Sequence, residues 1–579
     1  VTDEPEKYEN VSWPFGTSVH HRSDLLAVQR DLAAVPGVTA VIYDQTCASE
    51  KRRRRKRGMF PDPDRRIVIN EQVCEGCGDC GRKSNCVAIA AVETEFGRKR
   101  QIDQSACNKD YSCVEGFCPS FVSVYGGKLK KGEGVSGDAD MPVIPTPDLP
   151  VLNGSYGVII TGVGGTGVVT VGAVLGMAAH LEGKGTAIID MAGLAQKGGE
   201  VSSHLRIAPK PSDIQSIRIA ASGADLILGC DMVTASTQKV LASIDPGRTR
   251  VVINAHEKLS GEFTKNVDFS FPTQRIIKTL TKTAGEDMTA VVEAEKLAVA
   301  LFGDAIASNM FMLGFAFQQG GLPVSEASIM QAIALNGVAV PMNQAAFQWG
   351  RVAAHDLALL PQVQTDSHEA LDHRELSETL DEVIDRRVAR LTDYQNAKYA
   401  DRFATRVGRI RALGHDDLTD VVARNLYKLM AIKDEYEVAR LFANGAFDAQ
   451  LDTTFETYER VTYHLAPPLL SKRNERGELV KKEYGPWMAK AYARLAKLRF
   501  LRGTALDIFG YTAERKMERA LIGEYMSLLD TIEAELNVEN LSAAIELARY
   551  PDLIRGFGHV KEANVEVARA AKRERLAAF

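Results

Sequence analysis

Gly157-Val-Ile-Ile-Thr161 runs directly into Gly162-Val163-Gly164-Gly165-Thr166-Gly167 and then into an apolar helical stretch. A β-branched run, a glycine turn and an apolar helix, in that order, open a strand–loop–helix unit. Glycine there lets the backbone approach a phosphate and lets the helix lie close on its strand, while the helix amino terminus offers free N–H groups to an anion. Gly172 and Gly176, one turn apart, suit the same close packing. Further strands are expected at residues 186–190, 203–207, 226–229 and 250–254, alternating with helices to about residue 342. That alternation predicts a mostly parallel sheet covered on both faces. The second strand ends at Asp190, where a ribose-binding acid is expected in a dinucleotide site. Beyond it, Met191-Ala-Gly-Leu-Ala-Gln196-Lys197-Gly198-Gly199-Glu200 reads as a polar loop at the carboxyl edge of the sheet, where open α/β sheets bind ligands.

Upstream the character changes. Seven of the nine cysteines crowd into residues 74–118, a clustering that points to metal in a reducing compartment rather than to a disulfide framework. The first group is Cys74-Glu-Gly-Cys77-Gly-Asp-Cys80, followed by Cys86; the second is Cys107, Cys113 and Cys118-Pro119. Three thiolates at i, i+3 and i+6 can wrap one corner of a cubane, because a glycine-assisted turn lets successive sulfurs reach different irons. In two-cluster ferredoxins the last cysteine of each motif serves the other cluster. Cys118 therefore completes the set of Cys74, Cys77 and Cys80, and Cys86 joins Cys107 and Cys113. Counting by threes from Cys107 reaches Asp110, so a carboxylate stands where the middle thiolate belongs. A carboxylate is a harder, more exchangeable iron ligand, which predicts a first [4Fe–4S] cluster and a second that is [4Fe–4S] with a labile iron or [3Fe–4S]. Paired zinc knuckles are the rival, but a third cysteine at the same spacing plus a distant Cys-Pro suits zinc poorly.

The chain has 579 residues, 45% hydrophobic and 25% charged, with a formal net charge of −5. Several ordinary globular domains follow, and the small net charge argues against nucleic acid as a partner. Residues 151–181 are uncharged for long enough to suggest a membrane span, but the glycine cluster splits them into strand, loop and helix, so no span is expected. No export signal is read, and a cytoplasmic, soluble protein is expected. Val1 rather than Met opens the sequence, as in a processed chain or a piece of a longer one. Residues 1–65 show a helical run at 24–32, a strand-like run at 38–43 and a basic exit loop, Lys51-Arg-Arg-Arg-Arg-Lys-Arg57, resembling the last unit of a parallel sheet. The basic run reads as a solvated domain contact, its sharper alternative being a dock for an acidic protein partner. Residues 131–153, rich in Gly and Pro, read as a linker, and the segment after Phe347 carries helical periodicity to the end. Cys47 and Cys230 read as small core residues and His20-His21 as a solvated pair.

With these motifs in place, the chain resembles the carboxy-terminal half of the fused, single-chain indolepyruvate:ferredoxin oxidoreductases, within the thiamine-diphosphate 2-oxoacid:ferredoxin oxidoreductases. The matching motifs are Tyr43-Asp-Gln-Thr-Cys47 with the basic run, Cys107-Asn-Lys-Asp110, Gly162-Val-Gly-Gly-Thr-Gly167 and Gln196-Lys197-Gly198-Gly199. They continue through Asn336-Gly-Val-Ala-Val340, His464-Leu-Ala-Pro-Pro468, Leu501-Arg-Gly-Thr-Ala-Leu506 and Gly556-Phe-Gly-His-Val-Lys561. The resemblance implies a multidomain α/β plus α chain. Its parts are the tail of a thiamine-binding domain (1–65), a ferredoxin-like iron–sulfur module (66–130), a Rossmann-like, parallel-sheet gamma-type domain (154–345) and an all-helical domain (346–579).

The implied reaction is oxidative decarboxylation of an aryl 2-oxoacid, with coenzyme A as acyl acceptor and ferredoxin as electron acceptor. Cys74, Cys77, Cys80 and Cys118 carry over as ligands of one cluster, and Cys86, Cys107 and Cys113 with Asp110 as ligands of the other. Gly162, Gly164, Gly165, Thr166, Gly167 and Gln196, Lys197, Gly198, Gly199 would face the thiamine or coenzyme A. Lys197 stands where relatives often show Arg, which weakens the expectation of bidentate phosphate recognition. No Gly-Asp-Gly motif occurs in the chain, so thiamine diphosphate and Mg2+ are expected on an amino-terminal half or a partner subunit. Ferredoxin and a homo-oligomer complete the expected partners. A nicotinamide-dependent oxidoreductase, favoured by Asp190, and a non-catalytic electron-transfer subunit are the rival readings.

Overall fold

The computed structural model describes residues 1–130, 141–164, 167–193, 199–257, 266–361, 374–467, 471–473 and 479–579. They form two compact units, one of residues 1–64 with 108–110 and one of residues 65–107 with 111–579.

The smaller unit holds helices α1 (Leu25–Ala33) and α2 (Ala48–Lys56). Two expectations are corrected here. The β-branched run at 38–43 forms no strand: it has no ladder partner among the described residues, and Val38 and Ile42 stay exposed. The basic run is mostly helix rather than loop, since Lys and Arg propagate a helix well and Glu50 pairs with Arg53 at 3.4 Å and Arg54 at 3.1 Å. Its cations are largely used inside the unit: Lys51 pairs with Asp3 at 2.8 Å and Arg55 donates to the Asn108 carbonyl at 2.7 Å.

In the larger unit, β1 (Arg65–Ile69) leads to the cysteine-rich segment with helix α3 (Asp79–Ser84) and the antiparallel pair β2 (Ile89–Val92) and β3 (Lys99–Ile102). Strand β4 (Phe121–Tyr125) returns antiparallel to β1, and β5 (Lys128–Leu129) follows. Next come β6 (Tyr156–Val163), α4 (Val168–Leu181), β7 (Gly185–Ala192), β8 (Glu200–Ala208), β9 (Leu226–Gly229), β10 (Arg250–Asn254) and β11 (Thr289–Val292). They form one six-stranded sheet in the order β11-β10-β9-β6-β8-β7. Four of its strands, β11, β10, β9 and β6, are mutually parallel, but β8 runs antiparallel to both β6 and β7. The sheet is therefore mostly parallel, as expected, with β8 as its one reversed strand. Three residues, Glu182, Gly183 and Lys184, join α4 to β7, and only seven positions of sequence, 193–199, separate β7 from β8, fewer than a parallel crossover needs.

Glycines let this layer pack closely. A Cβ on Gly172 would lie 2.7 Å from Ser203 Oγ and one on Gly176 would lie 2.6 Å from Ile188 Cδ1. Helices α5 (Ser308–Gln318) and α6 (Val340–His355) touch backbone to backbone, where a Cβ on Gly314 or Gly350 would strike a carbonyl oxygen of the other helix. Val158, Ile160, Leu205 and Leu228 join Phe311, Phe315 and Phe347 in one buried core.

The carboxy-terminal region is helical from Leu380–Tyr394 to Gly558–Ala578, its helices capped by Thr379, Asn396, Asp434 and Thr512. It is not all-helical, however. Strands β12 (Phe455–Thr457), β13 (Arg460–Leu465) and β14 (Lys482–Tyr484) leave it and complete sheets begun near the cysteines, in the order β1-β4-β13-β14 and β12-β5. Val68, Val122 and Val124 accordingly share a core with Phe442, Phe447, Tyr463 and Tyr492. The reason is an exposed edge: β4 has β1 on one side only, and β13 satisfies its other row of backbone groups. Among the described residues no helix is long and apolar enough to cross a membrane.

Candidate functional site

The first cysteine loop is built by local hydrogen bonding. Asn70 Oδ1 accepts from the N–H groups of Gln72 at 3.0 Å and Val73 at 3.2 Å, and the Cys74 N–H donates to the Asn70 carbonyl at 3.0 Å. Gly76, at φ +65°, turns its N–H toward Cys74 Sγ at 3.3 Å; any side chain there would collide with the Arg98 carbonyl. Gly78 then starts α3 and places Cys80 in its first turn. Asp79 accepts from the Phe117 N–H at 2.8 Å, and Gly116 approaches so closely that a Cβ would lie 2.8 Å from Cys80 Cα. Cys118 is thereby brought to Cys74, Cys77 and Cys80, and the four thiols line one hollow with Ile69, Phe121 and Arg100. Cys118 Sγ also meets Ser120 Oγ at 2.9 Å.

Burial, and then the charge of Cys118, pushes the Cys77 thiol up to about 12. Burial likewise raises Cys80 and Cys118. Bare, the thiols of Cys77, Cys80 and Cys118 keep their protons at neutral pH, so binding a metal centre there expels protons. Burial, then Cys86 and Cys107, pushes Cys113 up to about 12, which places those three sulfurs as a second neighbourhood. Asp110 pairs with Arg22 at 3.6 Å within the smaller unit.

Among the described residues no three His, Cys, Asp or Glu side chains converge as a single metal ion requires. A cubane presents its irons at separate corners, so its thiolates surround a body rather than meet at a point. The four-cysteine hollow fits that demand by donor type and enclosure.

The residues around this hollow include several that motif reading missed. Lys433 donates to the Cys74 carbonyl at 3.0 Å and pairs with Glu75 at 2.8 Å. Burial raises the Glu75 carboxyl, but Lys433, Lys561 and Lys99 outweigh it and bring it down to about 2. Gly556 lies against Cys77, a Cβ on it falling 3.4 Å from Cys77 Cβ, and His559 packs on Phe117 with ring centroids 4.6 Å apart. Lys481 donates to the carbonyls of Val114 and Gly116. The signal available in sequence was the run Gly556–Lys561, whose two glycines suit a close approach; nothing local marked Lys433 or Lys481.

In the α/β region, Gly162 lies on β6 and Gly164 donates its N–H to the Gly199 carbonyl at 2.8 Å, because β6 and β8 stay in register to Val163 and Glu200. Gly167, at φ +97°, caps α4. The two loops therefore meet through their described members, while Gly165, Thr166, Gln196, Lys197 and Gly198 lie outside the described residues. Asp190 is exposed in the body of β7, paired with Ser203 and separated from β6 by β8. Cys230 is a core residue, whereas Cys47, expected in a core, is exposed at the start of α2. His20 and His21 bond Ser18 and Ser23 near the surface.

Residues 157–353 match the family model described as pyruvate ferredoxin/flavodoxin oxidoreductase, and residues 380–574 match a family of unknown function. Over 204 residues, 35% of this chain, the sequence is 28% identical to the indolepyruvate oxidoreductase subunit IorB of Pyrococcus horikoshii, of which it covers 97%. The corresponding subunit of Thermococcus kodakarensis is 27% identical over 214 residues, 35% of this chain and 97% of that relative. Among solved structures, the pyruvate oxidoreductase subunit PORC of Thermotoga maritima is 18% identical, with 34% of this chain and 97% of that one covered and a TM-score of 0.26. The 2-oxoglutarate:ferredoxin oxidoreductase of Magnetococcus marinus is 14% identical, with 35% and 31% covered and a TM-score of 0.27. The family match and the two IorB relatives support the resemblance to the indolepyruvate:ferredoxin oxidoreductase-like family.

Proposed function

We propose that this chain, a relative of the 2-oxoacid:ferredoxin oxidoreductases, is the electron-transferring portion of an enzyme that oxidatively decarboxylates indolepyruvate or a related aryl 2-oxoacid to an acyl-coenzyme A. The single observation that carries the reading is the hollow lined by Cys74, Cys77, Cys80 and Cys118 in a chain whose residues 157–353 match the oxidoreductase family. These four thiols would hold a first iron–sulfur cluster, and Cys86, Cys107 and Cys113, with Asp110 as the exchangeable ligand, a second. When bound, such clusters accept and release one electron at a time. Ile69 and Phe121 line the same hollow and would limit the water reaching a cluster held there. The glycine loop Gly162–Gly167 and Gln196–Gly199 would receive a phosphate of thiamine or coenzyme A, with thiamine diphosphate and Mg2+ supplied by an amino-terminal half or partner. Ferredoxin takes the electrons onward.

Iron analysis with electron paramagnetic resonance tests this. The purified chain should hold about eight irons, or about seven if the second centre is of the three-iron type, and Asp110→Cys should suppress an oxidised three-iron signal. Fewer than about four irons in an anaerobically reconstituted chain would defeat the reading. The chain without its partner should not turn over a 2-oxoacid.

A further inference from the structure

Lys481 enters the cysteine-rich segment from the far side of the sequence, two residues after the described chain resumes at 479 and immediately before β14. Its ammonium donates to the Val114 carbonyl at 2.8 Å and the Gly116 carbonyl at 2.7 Å, and sits 4.7 Å from the centre of the Phe121 ring. Both carbonyls lie on the short segment that runs from Cys113 of the second group to Cys118 of the first. The charge is felt by cysteines of both groups, Cys118 most, then Cys113 and Cys80, and after them by Asp79. Among the described residues no carboxylate lies within ion-pair distance of it, unlike Lys433 and Lys561, which pair with Glu75 and Glu518. A half-buried cation with two carbonyl acceptors and no ion-pair partner among the described residues favours negative charge nearby. Among the described residues the thiols of Cys118, Cys113 and Cys80, ahead of the Asp79 carboxylate, supply it.

Resting on the function proposed above, we propose that Lys481 is the fixed positive charge shared by the two cysteine groups, and that it raises the reduction potential of the iron–sulfur centres they hold. Adding one electron to a centre adds one negative charge, and an ammonium inside the protein stabilises that state far more than one in water. Standing between both groups, Lys481 lifts the two potentials together. One electron would then pass from the reduced centre to the oxidised one without a steep step between them. The carboxy-terminal region, whose family has no assigned role, thus acts on the electron relay through one side chain.

The test is a reductive titration of the full chain with dithionite, followed by electron paramagnetic resonance. Lys481→Gln keeps a donor for the Val114 and Gly116 carbonyls but removes the charge, and Lys481→Arg keeps the charge. At a set potential the reduced-to-oxidised ratio of both centres should fall about tenfold in Lys481→Gln, which is about 59 mV for a one-electron couple. It should stay within about threefold of wild type in Lys481→Arg and be unchanged in Lys482→Gln, the exposed neighbour. If Lys481→Gln holds no iron, Lys481→Met, which fills the space on Phe121, is titrated in its place. Wild-type potentials in the uncharged variant would overturn the proposal, as would equal shifts in the Gln and Arg variants, or a shift of one centre alone. A wild-type chain without iron would instead remove the centres themselves and with them the proposed function.

Discussion

The α/β region buries its sheet with its own helices: α4 and α5 pack on the strands, α6 packs on α5, and their core contains no residue beyond the segment from 141 to 360. The cysteine-rich segment does the opposite. Its β4 is flanked by β13, and Ser123 bonds His464 at 2.8 Å across a separation of 341 residues. Buried ion pairs tie the two further: Glu95 with Arg387, and Glu71 with Arg374. The difference teaches that a segment dense in cysteines spends its volume on loops and ligands, so it lacks the apolar side chains to close a core alone.

Removing the carboxy-terminal region should break that asymmetry most. A chain ending near residue 361 should lose all bound iron while the α/β region keeps a cooperative thermal transition; retained iron would show that the cysteine segment stands on its own. Next in size is Arg387→Met. The carboxyl of Glu95, 1% exposed, would be left buried without its guanidinium, at a cost of about 3–5 kcal/mol in chemical denaturation. The double variant with Glu95→Gln should recover part of that loss, and failure to recover any would place the effect in packing rather than charge.

The smallest effect expected is a pH dependence at His464. Burial first, and then Lys481 and Arg65, holds this imidazole down at about 4, so the folded state keeps it neutral. Its contribution is fully present above the unfolded value near 6.5 and is lost as pH falls from there toward 4, where the unfolded chain takes up a proton that the folded one refuses. The loss should total about 2 kcal/mol by pH 4.5, read from urea midpoints at several pH values. His204 in the α/β region is also lowered by burial, so the test is regional only through the variant. His464→Gln should flatten the slope between pH 6.5 and 4.5, and an unchanged slope would assign it elsewhere.

Much of this was legible in the sequence where the signal is local. The strands at 226–229 and 250–254 and the helix-packing glycines at 172 and 176 follow from runs of β-branched residues and from spacing alone. The closeness of Cys74, Cys77, Cys80 and Cys118 in one hollow also matches the spacing. The strand forecast at 38–43 failed because a β-branched run becomes a strand only beside another strand. The antiparallel course of β8 was hidden because direction depends on how the chain returns, not on what the strand contains. Strands β12 to β14 were missed since three short segments among helices carry little periodicity of their own.

The sequence by itself determined that thiols would gather near residues 74–118, that a glycine loop would open an α/β unit at residue 162, and that most of the last 200 residues would coil into helices. Each of these rests on interactions between residues near in the chain. Only the tertiary structure decided which carboxy-terminal strands close the cysteine sheet, and that Lys433, Lys481, Gly556 and His559 stand around the thiols. A cation's effect on a buried site depends on its distance in space and on the exclusion of water, and neither quantity is written in the spacing of residues along the chain.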